Sequence, residues 1–244
     1  CPTASLVDSY ELADGRTIDE LSADDAEKLR LDPKAFERDP RLYQTVLFPN
    51  ETFLGYTNKV WDYDSANLDY IGKRNSTKTG YWVKKWVNET DVNSSNMYNT
   101  KLPFMLMRYS VVLLNYAECV IELGESSEYA TALKYINDIR KRAGQCDASA
   151  QKYSTQEKLR ELVRRERRVE LAFEGHRIFD IRRWKIGVET MNGPVYGAPY
   201  TDAEGNTQLY QAETRYFNPD RDYVWPIPST EMSYNTNMVQ NQGY

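Results

Sequence analysis

The sequence predicts a mainly α fold, built from helical hairpins and joined to a large loop-rich portion with a few short strands. Three observations carry that expectation. From Leu106 onward, apolar residues recur at the three- and four-residue spacing of amphipathic helices. Before that point the chain is irregular, with recurrent Pro and Gly and short apolar runs. Strand-like alternation is confined to two short stretches, 41–48 and 81–87.

In chain order, Leu6-Val7-Asp8-Ser9-Tyr10 starts a helix that stops near Asp14-Gly15. Asp39-Pro40 marks a turn, and Arg41 to Phe48 alternates as a strand. Residues 49–80 form one long loop rich in Asn, Tyr, Thr and Gly. A loop of that length in a compact domain is either functional or disordered, and its aromatic residues argue against disorder. Residues 81–87 read as a second strand. Alternation places Trp82, Lys84 and Trp86 on one face and Tyr81, Val83, Lys85 and Val87 on the other.

Tyr109, Val112, Leu113, Tyr116, Ala117 and Val120 form one apolar stripe, closed by Gly124. Tyr129, Ala132, Leu133, Ile136, Ile139 and Ala143 form a second, closed by Gly144. Two helices with a short join make an αα-hairpin. It resembles a degenerate tetratricopeptide repeat, with Ala117 and Ala132 at the small-residue positions where the helices touch and Leu113 in place of the usual tryptophan. The fold class is thus tetratricopeptide-like hairpins in an α–α superhelix. A lone hairpin cannot bury both its faces, so stacking partners must exist. Ser154-Thr155-Gln156-Glu157 is a capping box that opens a third helix through Leu159, Leu162, Val163, Glu166, Val169 and Phe173. Gly175 interrupts it, and His176 to Trp184 continues as a further helix to near Gly187. After 190 the chain is loop-like, and the prolines of Tyr223-Val224-Trp225-Pro226-Ile227-Pro228 forbid a central strand.

Composition excludes several functions. A net charge of -5 disfavours nucleic acid and anionic lipid, which need a basic face. No run approaches the roughly 20 apolar residues of a membrane span, and no signal-peptide pattern opens the sequence. Three cysteines, Cys1, Cys119 and Cys146, fit no metal motif or disulfide framework, and Cys119 is expected to be a buried thiol inside its helix. A single histidine, His176, leaves little for a zinc site or a Ser-His-Asp triad. No metal and no cofactor is expected.

Two constellations could carry chemistry. Glu166, Glu170 and Glu174 lie four apart within a run of arginines. Two such carboxylates could serve a glycoside hydrolase as acid and base. Guanidinium groups this dense would instead lower their pKa values and keep them ionised, which favours a structural network. His176 has the same structural standing. The second constellation is the loop aromatics Tyr56, Trp61, Tyr63 and Tyr70, with Trp82 and Trp86 on the adjoining strand. The 19 tyrosines either fill a core or present rings whose apolar faces and polar hydroxyls suit sugars. Asn58, Asp62, Asp64 and Asn67 beside the loop rings could bond sugar hydroxyls. On this reading Trp61, Tyr63, Tyr70 and Tyr56 are the carbohydrate-binding residues.

The stretch Arg167-Arg168-Val169-Glu170-Leu171-Ala172-Phe173-Glu174-Gly175-His176-Arg177-Ile178-Phe179-Asp180-Ile181-Arg182-Arg183-Trp184 resembles the signature of the SusD-like (RagB/SusD) family. So do Trp225-Pro226-Ile227-Pro228 with Glu231, and Gln240 to Tyr244 at the end. Leu106-Met107-Arg108-Tyr109 with Tyr116-Ala117-Glu118, Arg38-Asp39-Pro40-Arg41 and Gly80-Tyr81-Trp82 match the family's pattern as well. The resemblance implies one SusD/RagB-type C-terminal region over 1–244: a loop-rich part at 1–105, repeat-like helices at 106–187 and an irregular C-terminal cap at 188–244. It implies a non-catalytic, lipid-anchored protein at the bacterial outer membrane. Such a protein binds oligosaccharides or polysaccharides, or sometimes peptides, and hands them to a SusC-like TonB-dependent transporter. A tetratricopeptide-type scaffold for protein partners is the main alternative. Leu6 to Gly15 resembles a mid-chain segment of the family, so the lipid anchor is expected elsewhere than at Cys1. In a bacterial protein the four Asn-x-Ser/Thr sequons at Asn50, Asn75, Asn88 and Asn93 mark an Asn- and Thr-rich surface rather than glycan acceptors.

Overall fold

The computed structural model describes residues 1–64, 66–87, 103 and 105–244, so the sequons at Asn88 and Asn93 lie outside the described residues. Three short helices come first: α1 (Ala4–Ser9), α2 (Ala23–Leu31) and α3 (Pro40–Thr45). Four two-residue strands follow: β1 (Val46–Leu47), β2 (Thr52–Phe53), β3 (Tyr56–Thr57) and β4 (Trp82–Val83). The long helices are α4 (Tyr109–Leu123), α5 (Tyr129–Ala143) and α6 (Gln156–Glu170). The chain ends with α7 (Arg177–Arg183), α8 (Gly187–Met191), an antiparallel hairpin of β5 (Gly193–Thr201) and β6 (Thr207–Arg215), and α9 (Ser229–Tyr234).

The three long helices form the main core. Leu114, Ala117 and Ile121 of α4 meet Ala132, Ile136 and Ile139 of α5 and Leu159, Leu162 and Val163 of α6. Ala117 and Ala132 are both fully buried, as close helix approach requires. Each large aliphatic side chain there contributes about 1.5–3 kcal/mol by leaving water. Gly124 and Gly144 end α4 and α5 in the left-handed conformation, φ 76° and 81°, where a Cβ would be strained.

The buried face of α4 is rotated from the expected stripe. Val111, Leu113, Leu114, Ala117, Val120 and Ile121 are buried, whereas Tyr109, Val112 and Tyr116 are exposed. Cys119 is also exposed, contrary to the buried thiol expected. Val112, Tyr116, Cys119 and Leu123 thus line an outward apolar face at helical spacing. The helix is apolar nearly all round, so periodicity alone could not choose between its two faces.

Other local expectations also shift. Residues 40–45 are helical because Asp39 accepts from the Arg41 N–H and Pro40 occupies the first helical turn, which leaves only Val46–Leu47 as strand. That strand pairs with Trp82–Val83, and Trp86 at φ 74° breaks the expected alternation through 87. The first helix ends at Ser9, well before Gly15. Thr155, not Ser154, caps α6 by accepting from the Lys158 N–H. Residues 193–215, expected as loop, form the β5–β6 hairpin. A two-stranded hairpin has two edges, so Pro194 and Pro199 can sit where no N–H is needed. Gly197 lets the Thr79 backbone dock, with the Ala198 N–H donating to the Thr79 carbonyl at 2.7 Å.

Candidate functional site

The loop over 49–80 is fastened by its own amides. Asn58, buried, donates to the Phe48 carbonyl at 2.8 Å and the Glu51 carbonyl at 3.1 Å, and accepts from the Asn50 N–H. Asn67 donates to the carbonyls of Lys59 and Asp62 and accepts from the Asp69 N–H. Asp64 accepts from the Ala66 N–H. These amides, expected beside a sugar, hold the loop in shape instead. Asp62 is exposed.

The loop aromatics divide into two groups. Tyr63 is 79% exposed and stands edge-on to Tyr70, with ring centroids 5.1 Å apart and planes at 81°. Tyr56, also exposed, donates its hydroxyl to Asp69 at 2.8 Å. Trp61 faces inward, packed between Tyr200 at 5.7 Å and Tyr210 at 5.5 Å on the β5–β6 hairpin. A Cβ at Gly80 would lie 2.6 Å from the Trp61 ring, so only glycine fits there. Trp61 therefore ties the loop that carries Tyr63 and half-buried Tyr70 to the hairpin. Tyr200 and Tyr210 went unseen in the sequence because the hairpin did. The signal that could have found them was the Asp202 to Asn206 turn between two Tyr-bearing segments. Trp86 donates its indole N–H to the Phe173 carbonyl at 3.0 Å and so anchors the loop region just beyond α6, whereas Trp82 is half-buried in the pairing with Leu47.

The carboxylate ladder of α6 and the turn after it is a largely buried ion network. Glu166 accepts from Arg41 at 3.0 Å and Arg140 at 2.6 Å. Glu170 accepts from Arg41 at 3.1 Å and from Arg108 and Arg142 at 2.5 Å each. Glu174 accepts from Arg108 at 2.7 Å and Lys85 at 2.6 Å. Arg140 reaches on to Glu11 at 2.6 Å, and Arg41 to Asp39. Burial alone would raise the Glu166 carboxyl, but Arg41 and Arg140 outweigh it and hold it below the usual carboxylate range. Glu170 and Glu174 follow the same balance, with Arg108 the main counterweight to burial in each. A second network joins Glu118 and Asp180 to Arg167 and Arg183, with the Trp184 indole donating to Glu118 at 2.6 Å. His176 precedes α7, and its backbone carbonyl accepts from Phe179 and Asp180.

The model of the SusD family matches residues 1–244. A "SusD-like protein P2" of Formosa agariphila is 30% identical over 168 residues, covering 66% of this chain and 30% of that protein. The "Starch-binding protein SusD" of Bacteroides thetaiotaomicron is 29% identical over 169 residues, covering 68% of this chain and 26% of that protein. Among solved structures, a SusD-like protein of Bacteroides fragilis superposes with TM-score 0.77 at 31% identity, over 100% of this chain and 47% of its own. A "SusD-like carbohydrate binding protein" of the same species gives TM-score 0.75 at 32% identity, over 97% and 47%. The chain thus spans under half the length of these solved structures and under a third of the curated relatives. With the signature helix, the hairpin packing and the terminal motifs all inside the match, the chain belongs to the SusD family.

Proposed function

We propose that the chain forms part of a non-catalytic, lipid-anchored glycan-binding subunit at the bacterial outer membrane, which delivers its ligand to a SusC-like TonB-dependent transporter. The observation that carries the reading is exposed Tyr63 set edge-on against half-buried Tyr70 and flanked by exposed Tyr56, on a loop fastened by Asn58 and Asn67 and backed by Trp61. Rings held in place by a rigid scaffold stack on a pyranose without losing much entropy on binding. The names of two relatives, one starch-binding and one carbohydrate-binding, point the same way. Tyr63, Tyr70 and Tyr56 make the sugar contacts, and Trp61 sets their positions. Glu170 and Glu174, the carboxylates a hydrolase would use, are held ionised by arginines, whereas a general acid needs its proton.

The test is affinity electrophoresis against a polysaccharide panel, with wild type beside Tyr63→Ala. Retardation of wild type by one glycan and loss of it in the variant supports both function and site. A wild type that no glycan retards sinks the glycan reading. Protein scaffolding has its own support in the outward apolar face of α4, Val112, Tyr116, Cys119 and Leu123. If that face is where the chain acts, Tyr116→Glu abolishes capture of the transporter and leaves glycan retardation intact.

A further inference from the structure

The two solvent-facing tyrosines of the loop are held differently. Tyr63 stands against Tyr70 through its ring. Tyr56, 59% exposed, is fixed at both ends of its side chain. At the backbone end it follows the two-residue turn between β2 and β3, with Phe53 paired to Tyr56 and Thr52 to Thr57. Leu54 and Gly55 in that turn are both left-handed, at φ 55° and 78°, the backbone that matches the twist of a tight hairpin. A leucine tolerates that region poorly, so its surroundings hold it there. The Thr52 and Thr57 hydroxyls bond across the strands at 2.5 Å. At the far end the Tyr56 hydroxyl donates to Asp69 Oδ2 at 2.8 Å, and the Lys59 backbone N–H donates to the same oxygen at 3.3 Å.

Asp69 is itself placed by the loop. It is half-buried, its N–H donates to the Asn67 side chain at 3.0 Å, and its carbonyl accepts from the Ser76 hydroxyl. Asn67 is tied in turn to the carbonyls of Lys59 and Asp62. Asp69 therefore joins the tip of the β2–β3 hairpin to the segment that carries Tyr70, its neighbour in the chain.

A phenol has one proton to give and two lone pairs to offer. Asp69 takes the proton, and that bond raises the Tyr56 hydroxyl above its ordinary value, so the proton stays at neutral pH. What Tyr56 still offers a ligand is an oxygen that can only accept, and donation to a carboxylate strengthens it as an acceptor. A free sugar hydroxyl can donate to it, whereas the ether oxygen of a methylated sugar cannot.

We propose that Asp69 is a positioning residue of the glycan site, which sets Tyr56 as a fixed acceptor and so selects sugars that present a free hydroxyl there over sugars etherified at that position. The inference rests on the glycan-binding reading above and adds to it a rule for which sugars are admitted.

Isothermal titration of the full chain tests it, with maltohexaose, cellohexaose and laminarihexaose as probes, each beside its partially O-methylated form. For a hexaose that binds wild type, Tyr56→Phe and Asp69→Ala each weaken binding roughly tenfold, the scale of one hydrogen bond. The double variant binds no more weakly than either single one, because both changes remove the same contact. Asp69→Asn, which keeps an accepting oxygen for Tyr56 and Lys59, restores the affinity lost in Asp69→Ala. The penalty for O-methylation shrinks in Tyr56→Phe and Asp69→Ala alike. Additive losses in the double variant overturn the proposal, since Asp69 would then act by holding the loop rather than through the hydroxyl. So does wild-type affinity in Tyr56→Phe, and if Tyr63→Ala still weakens binding there, the glycan reading stands without it. Failure of wild type to bind any of the three hexaoses overturns both.

Discussion

Two groups of arginines gathered around α6 from different elements have different surroundings. Around Glu166 and Glu170, the guanidiniums of Arg41 and Arg140 are buried and that of Arg108 is half-buried, and each is matched by carboxylates from distant parts of the chain. At Arg168 and Arg177 the guanidiniums line a cavity and have no ion pair among the described residues; Arg168 donates to the Ser5 hydroxyl. A paired buried charge fixes how elements meet, because removing one partner strands the other in low dielectric.

The sharpest way to break the comparison is Glu166→Ala. It strands Arg41 and Arg140, and we expect a loss of about 3–5 kcal/mol in denaturant unfolding. Acid provides a milder version of the same test. Glu166, Glu170 and Glu174 have folded-state pKa values below their unfolded values. Their stabilisation is therefore fully present above the unfolded value of about 4.3 and disappears as the pH falls through the folded ones. A melting temperature that stays flat from pH 6 down to about 3 contradicts the network's role. Trp61→Ala follows at about 2–4 kcal/mol in thermal unfolding, with binding weakened through the loop it supports. Tyr63→Ala is expected to weaken glycan binding roughly tenfold, about 1.4 kcal/mol, with unfolding unchanged, because the ring is solvent-exposed. Arg168→Met sits at the bottom of the series at about 1 kcal/mol or less, since its guanidinium gives up only the bond to the Ser5 hydroxyl. A cost as large as that of Glu166→Ala would erase the distinction between the two groups.

The same contrast separates the aromatic residues. By sequence Tyr56, Trp61, Tyr63 and Tyr70 form one set of sugar-facing rings. In the fold Tyr63 and Tyr56 face solvent, whereas Trp61 is enclosed by Tyr200 and Tyr210, which come from more than a hundred residues away. No local pattern could show which ring would find those partners. The amides of Asn58 and Asn67 likewise turned inward to carbonyls that the folded loop brought within reach.

What the sequence alone determined was local or compositional. The helix pair ended by Gly124 and Gly144, the α6 repeat of Leu159, Leu162 and Val163, and the ionised Glu166–Glu170–Glu174 ladder all follow from spacing and nearby charge. The family signature, legible as a run of residues, lies on the same helices. Only tertiary structure decided the outward face of α4, the helix at 40–45 where alternation suggested a strand, and the β5–β6 hairpin among prolines. It also decided which arginines found carboxylates and which did not. The physical reason is common to all of these: periodicity and propensity fix what an element can bury, whereas the partner that buries it comes from far along the chain.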